Sequence, residues 1–375
     1  MRPRLPEHTG WTDSRMTLLL TNDEVDQLLP MEAAVDALRG MYAEVRAGRG
    51  VSGPRIDLLA ETESPVDPHA EYSLKSMGGV LPRSGMAALR LSSEILGWQG
   101  SGDAARREKL PAADGRWVGL VLLFSTRTGE PLMIAPDGFI QRARVAGATA
   151  LGARHLARAD ARVLALLGSG WQAEGQVDAY CATCAIGEIR VFSPSQAHRE
   201  AFAERMARRS GVTVRPAESA ERAVDGADIV ASATNSVGVV LRPEWARPGM
   251  HFSSVTATEV PEGLVLAADH IAFQCLDMSR DAQTYRPSTA PPPRKDRPEW
   301  WFQQNAPFRA RMSDLIHLTA DAAPARTGDG EVTLFVNNAM ALAFTAVGAR
   351  VYEAARARDV GREIATSWLT QDVHP

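Results

Sequence analysis

Cysteine is scarce in this sequence, with 3 residues in a chain of 375. Three cysteines do not make the disulfide framework that holds small secreted domains together. Cys181 and Cys184 form a C-x-x-C pair, but a zinc site needs two further ligands, and Cys275 with a distant histidine is a poor second half. We therefore predict no metal site and interpret the pair as small apolar residues of the interior.

Long apolar runs and a surplus of positive charge are also missing. A membrane-spanning helix needs about 18 consecutive apolar residues, and the sequence has no such run. Its 41 basic residues are outnumbered by 45 acidic ones, so no basic field points to nucleic acid. The opening MRPRLPEHTGW lacks the apolar core of a secretory signal, so we expect a cytoplasmic protein.

What the sequence does contain is two patterns of secondary structure. Residues 16–150 predict a strand, a helix that begins at Thr21 or Asn22, and then an antiparallel sheet with 98–116 as a loop. Within 151–325, strands alternate with helices, which is typical of a parallel, doubly wound sheet. Residues 277–312 are rich in proline and arginine and predict an irregular insert. We expect the chain to return to the first domain over 326–375.

The strand VLALL ends in a glycine turn, and a helix is predicted to follow at once. The turn reads G-x-G-x-x-A, in which the first glycine permits a tight turn, the second lets a pyrophosphate approach the backbone, and the alanine lets helix and strand pack closely. Free N–H groups at the helix start favour phosphates. We therefore assign dinucleotide binding to Gly168, Ser169, Gly170, Trp171, Gln172 and Ala173.

The segment after the second strand of this domain bears on the choice of dinucleotide. An acidic side chain there would bind the ribose hydroxyls of NAD, and VFSPSQAHRE supplies none before its last residue. Ser193, Ser195 and Arg199 are suited to a 2′-phosphate instead. The sequence favours NADP, and NAD remains the alternative if these are ordinary loop and helix-start residues.

Further cofactor contacts are expected where parallel strands end, because doubly wound sheets bind cofactors at that edge. Thr234, Asn235 and Ser236 follow the strand DIVASA, and Val255 follows HFSS. Asn337 and Asn338 in LFVNN are assigned either to the cofactor or substrate, with Asn338 on the cofactor side, or to simple turn chemistry. Trp300 and Trp301 in the insert either line the substrate mouth or cover a surface between subunits.

These segments, taken in order, resemble the ornithine cyclodeaminase/mu-crystallin family from about residue 16 to 365. The resemblance is carried by GPRIDLL, GEPLMIAPDGFIQRARVAGATALGARHLA, LALLGSGWQAEGQ, ADIVASATNS and EVTLFVNNAMAL. It implies an α/β fold with a central Rossmann-like doubly wound domain and an α+β substrate and dimerisation domain built from both chain ends. It also implies a homodimer, a nicotinamide cofactor and a small substrate with a carboxylate and an amine or imine.

The same resemblance implies the substrate-binding residues. Arg55 and Arg144 stand where the family has substrate-binding arginines, and Arg90 stands where it usually has a lysine. Arginine does not donate a proton at ordinary pH, but it binds a carboxylate through two hydrogen bonds. Lys75 either takes the catalytic role of the missing lysine or is a salt-bridged surface residue. We assign Arg90 and Lys75 to catalysis and all three arginines to the substrate carboxylate.

A second departure lies after HFSSV, where cyclodeaminases have an aspartate that acts as a base. The loop here reads TATEVPEG, and Glu259 aligns with a structural acidic position rather than with that base. The sequence thus favours an NAD(P)-dependent oxidoreductase that reduces an imino acid or ketimine, or oxidises the corresponding amino acid. The alternatives are a cyclodeaminase-like lyase that releases ammonia with bound NAD, and a non-catalytic NADP-dependent ligand-binding protein of the crystallin type.

Overall fold

The protein is represented by a computed structural model, which describes residues 16–64, 67–99, 106–112, 115–236, 238–277, 283–287, 298–303, 305–320, 325–338 and 340–373. Two sheets organise these residues, and each sheet has its own hydrophobic core. No helix within these ranges has the length and apolar character needed to cross a membrane.

The first sheet has nine strands and is mostly antiparallel. Its order is β14-β2-β3-β4-β6-β7-β1-β17, and β5 pairs with β4. Only the pairs β1–β7 and β14–β2 are parallel. The strands are β1 (Met16–Leu19), β2 (Val51–Glu61), β3 (Glu71–Leu81), β4 (Met86–Gln99), β5 (Arg106–Leu110), β6 (Val118–Ser125), β7 (Pro131–Pro136), β14 (Gln283–Tyr285) and β17 (Arg362–Ala365).

One face of this sheet is buried under helices and the other is not. Buried residues alternate with half-buried ones along β3, which is the pattern of a strand with a single covered face. The long helix α10 packs across β3, β4 and β6. The helices of this domain are α1 (Asn22–Leu28), α2 (Met31–Arg46), α3 (Gly138–Leu156) and α10 (Leu342–Arg358).

The second sheet has eight strands, and all of its neighbouring pairs are parallel. Its order is β10-β9-β8-β11-β12-β16-β13-β15. The strands are β8 (Val163–Leu167), β9 (Glu188–Phe192), β10 (Thr213–Pro216), β11 (Ile229–Ser232), β12 (His251–Ser254), β13 (His270–Phe273), β15 (Met312–Asp314) and β16 (Thr333–Val336).

Helices and apolar clusters cover both faces of the second sheet, as a doubly wound domain requires. The helices are α4 (Trp171–Thr183), α5 (Gln196–Ser210), α6 (Ala220–Val224), α7 (Glu262–Ala267), α8 (Glu299–Phe302) and α9 (Leu315–Leu318). The strand order reverses between β8 and β11, because the chain leaves β8 toward β9 on one side and returns to β11 on the other. The predicted fold class is confirmed.

The domain boundaries differ from those predicted. The sequence places the return to the first domain at 326, whereas β16 pairs with β12 and β13 inside the second sheet. The return therefore follows Val336. The predicted boundary at 150 falls inside α3, which runs on to Leu156 and packs against both domains. A strand's sheet partners are set by distant residues, so local pattern alone assigned β16 to the wrong sheet.

The insert at 277–312 is more ordered than its composition suggests, although parts of it lie outside the described ranges. Trp300 and Trp301 are each 2% exposed and belong to the core of the second domain. The indole of Trp300 donates a hydrogen bond to the carbonyl of Val260 at 3.0 Å. Both roles proposed for these tryptophans, the substrate mouth and a subunit surface, were therefore wrong.

Two further predictions of local structure were also wrong. The helix predicted from Thr21 onward is two helices, because Pro30 has no N–H and disfavours helical backbone in the residue before it. The segment 98–116, predicted as a loop, contains β5 paired with β4. Its charged residues concealed a strand that lies off the main path of the sheet.

Candidate active site

The glycine turn lies at the point where the strand order of the second sheet reverses. Gly168 directly follows β8 and has φ +117°, a value that side chains disfavour. A Cβ at this position would lie 2.3 Å from the carbonyl oxygen of Ala233, just beyond β11. Only glycine therefore allows the turn to lie against the end of β11, which is where open α/β sheets bind their ligands.

The rest of the turn leaves room for a phosphate group. Gly170 precedes α4, and a Cβ on it would meet no atom within 4 Å, so this stretch of backbone is open. Ala173 is fully buried between helix and sheet. The side-chain oxygen of Gln172 is buried and has no hydrogen-bond partner among the described residues. The open backbone at a helix start and this unpaired polar atom fit a bound dinucleotide.

The end of β9 lies beside the turn. The Ser169 hydroxyl donates a hydrogen bond to the Ser193 hydroxyl at 2.8 Å. Ser195 caps α5 by accepting the backbone N–H of His198. The guanidinium of Arg199 donates to the carbonyl of Ser193 at 3.1 Å. The structure thus brings the three residues predicted to receive a 2′-phosphate to the edge of the glycine turn.

Glu259 organises the loop after β11. It is fully buried, and its carboxylate accepts the backbone N–H and hydroxyl of Thr234 and the hydroxyl of Ser254. Burial raises the pKa of Glu259. With both oxygens engaged, Glu259 holds the loop in place, as the sequence predicts, and is not placed to act as a base.

The other residues assigned to the cofactor differ in their exposure and in their hydrogen bonds. Asn235 is exposed, and Ser236 and Val255 are half-buried. Asn338 is buried, and its side chain bonds the backbone N–H groups of Gln274 and Cys275 and the carbonyl of Cys275. Most of the hydrogen-bonding capacity of Asn338 is therefore spent on fixing the end of β13.

Asn337 has a similar structural position. Its amide bonds α3 at the carbonyl of Val145 and the hydroxyl of Thr149, and accepts a hydrogen bond from Gln274. The two asparagines therefore tie β16, β13 and α3 together. The sequence left open a contact to cofactor or substrate and simple turn chemistry. In the structure, the side chains of both asparagines hydrogen-bond neighbouring segments of the chain.

The buried face of the first sheet carries paired charges. Arg55 of β2 donates to the carboxylate of Asp57 at 2.5 to 3.0 Å. Lys75 of β3 donates to Glu94 of β4 at 2.5 Å. The strand register sets Asp57 opposite Lys75, and Arg55 and Arg90 opposite the same β3 residue. Directly paired residues share a face, so these charges all lie on the face of the sheet that α10 covers at β3 and β4.

Arg90 and Lys75 are both buried and both paired. The Nε of Arg90 donates a hydrogen bond to Oδ2 of Asp137 at 2.7 Å, and its Nη2 lies 2.6 Å from the same oxygen in a salt bridge. Although burial favours the neutral acid, the ammonium groups of Lys75 and Lys109 lower the pKa of Glu94 to about 2. Lys75 is therefore salt-bridged, as one alternative proposed, but it lies in the interior rather than on the surface.

Arg144 differs from the other three cations. It is 5% exposed, and its guanidinium donates to the amide oxygen of Gln141 and lies 4.4 Å from the ring centre of Phe344. In the described part of the chain, no carboxylate lies within salt-bridge distance of it. Burial, with the charges of Arg90 and Arg55, lowers the pKa of Arg144 to about 9.

The charges of this face therefore do not balance. Three buried carboxylates, Asp57, Glu94 and Asp137, face three buried cations, Lys75, Arg90 and Arg144, and the half-buried Arg55, and in the described part of the chain Arg144 is the one cation of this set without a salt bridge. An unpaired buried charge is costly unless a partner is supplied. The arrangement is complementary to a small anion that would bind on Arg144 beside Arg90.

Comparison with known proteins adds the family. Residues 86–359 match the ornithine cyclodeaminase/mu-crystallin family. The chain belongs to this family. A curated relative, alanine dehydrogenase of Archaeoglobus fulgidus, is 24% identical over 93% of this chain and 98% of its own length. Δ1-pyrroline-2-carboxylate reductase of Bacillus thuringiensis is 26% identical over 66% of this chain and 74% of its own length.

Solved structures of similar proteins share the fold. The iminosuccinate reductase of Paracoccus denitrificans, in complex with NAD+, aligns with a TM-score of 0.72 and 21% identity over 93% of this chain and 99% of its own. The Δ1-pyrroline-2-carboxylate reductase of Thermococcus litoralis aligns with a TM-score of 0.70 and 20% identity, over 93% of this chain and all of its own. The predicted family resemblance is confirmed.

Sequence reasoning missed the carboxylates of this site. Asp57, Glu94 and Asp137 were not among the predicted site residues, and neither was Phe344. Asp57 stands two positions from Arg55, a same-face spacing on a strand that was a usable signal. The pairing of Arg90 with Asp137 spans 47 positions and depends on how β4 and α3 meet, so no local pattern contains it.

Replacing Arg144 should affect the binding of carboxylates without lowering the stability of the protein. We expect Arg144→Met to leave the free energy of unfolding unchanged or raise it by about 1 kcal/mol or more, because it removes an unpaired buried charge. The same change should abolish binding of small carboxylates. Urea unfolding and isothermal titration calorimetry measure the two effects.

Arg90→Met is the matched control, because it leaves the buried carboxylate of Asp137 without its salt-bridge partner. It should lower the free energy of unfolding by about 3 to 5 kcal/mol. If Arg144→Met were as destabilising as Arg90→Met, Arg144 would be a structural residue and not an anion site.

Proposed function

We propose that this protein is an NAD(P)-dependent oxidoreductase that reduces an imino acid or ketimine, or oxidises the corresponding amino acid. The observation that carries the proposal is the buried, anion-free guanidinium of Arg144 beside Arg90. A substrate carboxylate on Arg144 would balance the charge of the site. Relatives named alanine dehydrogenase and Δ1-pyrroline-2-carboxylate reductase act on substrates of this class.

The two halves of the site have separate tasks. The open backbone at Gly170 and the start of α4 would hold the pyrophosphate, and the loop from Thr234 to Ser236 would flank the nicotinamide side. A bound nicotinamide supplies or accepts the hydride. Arg144 and Arg90 bind the substrate carboxylate and so orient the carbon that reacts, while the helices over the sheet exclude water from it.

A cyclodeaminase-like lyase is the second candidate, and a non-catalytic dinucleotide-dependent binding protein is the third. The lyase needs a base on the amine, and both oxygens of Glu259 are already engaged. The deciding assay mixes the protein with Δ1-pyrroline-2-carboxylate, or with 2-oxo acids and ammonia, and follows reduced nicotinamide. Stoichiometric consumption supports the oxidoreductase. Release of ammonia from an amino acid without net consumption of reduced nicotinamide would show a lyase instead. Binding of the ligands without turnover would show a binding protein.

We further propose that NADP is preferred over NAD. Ser193, Ser195 and Arg199 surround the end of β9, where no acidic side chain is present to bind ribose hydroxyls. Arg199→Ala should raise the Kd for NADPH about 10- to 100-fold, the worth of hydrogen bonds to a charged group. The Kd for NADH should change less than about threefold.

The control is Arg208→Ala on the same helix, since Arg208 is exposed and pairs only with the exposed Glu204. Bound-nicotinamide fluorescence measures both affinities in each variant. Equal losses for the two cofactors in Arg199→Ala, or tighter binding of NADH by the unaltered protein, would exclude the phosphate pocket.

We also propose a homodimer formed through the uncovered face of the first sheet. Leu91 and Leu120 lie opposite each other on that face, and Leu120 is 36% exposed. A broad, half-exposed apolar face is typical of a protein interface. The solved archaeal alanine dehydrogenase, similar in fold, is described as a dimer. A second copy of the chain is the occupant that we propose.

Leu120→Glu should convert the dimer to a monomer, because a buried interface does not accommodate an unpaired carboxylate. Light scattering after size-exclusion chromatography measures the mass. Leu266→Glu, which changes an exposed leucine of the second domain, should leave the mass unchanged. A monomeric unaltered protein, or a dimeric Leu120→Glu variant, would contradict this interface.

A further inference from the structure

The three carboxylates of the charged sheet face differ in how their oxygens are used. Both oxygens of Asp57 accept hydrogen bonds from Arg55. Glu94 receives one ammonium group on each oxygen, from Lys75 and Lys109. Asp137 accepts a hydrogen bond from Arg90 on Oδ2, the oxygen that also makes the salt bridge, and Oδ1 accepts none from the described residues. Among these three buried carboxylates, Asp137 alone has an oxygen that accepts no hydrogen bond from the described residues.

The structure also makes room for this carboxylate and fixes its position. The backbone N–H of Asp137 donates to the carbonyl of Gly119 at 3.0 Å. A Cβ on Gly119 would lie 2.1 Å from Oδ1, so any other residue there would displace the carboxylate. Asp137 immediately precedes α3, yet its side chain does not cap the helix. Its side chain is 13% exposed, so a small molecule can reach it.

Asp137 lies close to the unpaired cation of the site. Arg90, its salt-bridge partner, and Arg144 lie over the same ring of Phe344, at 5.5 and 4.4 Å from its centre. An α-amino or α-imino acid carries a cationic nitrogen next to its carboxylate. A site for it needs an unpaired cation and, beside it, an anion with a free lone pair. Arg144 and Asp137 Oδ1 are such a pair.

We propose that Asp137 is the residue that binds the substrate nitrogen. The N–H of the substrate donates a hydrogen bond to Oδ1 of Asp137. This inference rests on the proposed function and deepens it, since it restricts the substrate to carboxylates with a cationic nitrogen at the adjacent carbon. Asp137 is thereby a catalytic residue, because a carboxylate beside the nitrogen stabilises the protonated imine. Protonation makes the imine carbon more electrophilic.

Reduction of the protonated imine needs no proton donor from the protein. A nicotinamide held at the glycine turn would supply the hydride to the carbon of the protonated imine, and the C=N electron pair would move onto nitrogen. The amine that results takes a proton from water. The site therefore does not need the lysine that Arg90 replaces, because the substrate arrives already protonated and Asp137 keeps it so.

The test uses L-alanine and L-lactate, which share a carboxylate and carbon skeleton and differ in ammonium against hydroxyl. Calorimetric titration in the presence of oxidised dinucleotide measures both. The unaltered protein should bind L-alanine about 10- to 100-fold more tightly than L-lactate, the range for hydrogen bonds to a charged group. Asp137→Asn should abolish this preference while L-lactate still binds.

Asp57→Asn is the matched control, because it breaks a comparable ion pair on the same sheet face but removes no open oxygen. It should weaken both ligands by a similar factor and preserve their ratio. If Asp137→Asn does not fold, Asp137→Glu keeps a negative charge for Arg90 but displaces the open oxygen, and it should show the same loss of preference.

The outcomes separate this inference from the proposed function. If the unaltered protein binds both ligands equally, or if Asp57→Asn loses the preference as Asp137→Asn does, Asp137 does not bind the nitrogen and the carboxylate site stands. If neither ligand binds the unaltered protein, the carboxylate site on Arg144 is wrong as well, and the proposed function falls with it.

Discussion

The site depends on one electrostatic constraint: charges buried between a sheet and its helices must be neutralised. The strands place their charges at fixed register, so the pairs of Arg55 with Asp57 and Lys75 with Glu94 are set by the backbone. Arg144 enters from a helix, and no carboxylate meets it within the described chain. An apolar residue would be more stable at this position, and the carboxylate site that we propose accounts for the charge.

Helix α3 connects this charged face to the dinucleotide turn. Arg142, two positions before Arg144, lies over the rings of Phe139 and Trp171, at 4.6 and 4.1 Å from their centres. Trp171 is the first residue of α4. A Cβ on Gly175 of α4 would lie 2.6 Å from Arg142, so the two helices approach as closely as glycine allows. Helix α3 therefore fixes the position of Arg144 relative to the glycine turn.

The parts of this molecule that the sequence predicts are those encoded locally. The strand, glycine turn and helix around Gly168 follow from a few adjacent residues, and so does the alternation that gives a doubly wound sheet. The burial of Trp300 and Trp301, by contrast, depends on packing against distant strands, and the paired tryptophans carry no local mark of it. The same holds for Asn338, whose partners lie 63 and 64 positions away.

Arg90, which stands where the family resemblance implies a lysine, bears directly on the choice between the two enzymatic functions. Arginine keeps its proton, and Arg90 is held by Asp137 through a hydrogen bond and a salt bridge. A cyclodeaminase needs a base near the amine, and Glu259, the buried acid of the loop after β12, has no free oxygen. Reduction of a protonated imine needs neither group. The same features that remove proton transfer from this site are therefore compatible with hydride transfer, which requires a bound carboxylate, a cationic nitrogen and a dry, fixed geometry.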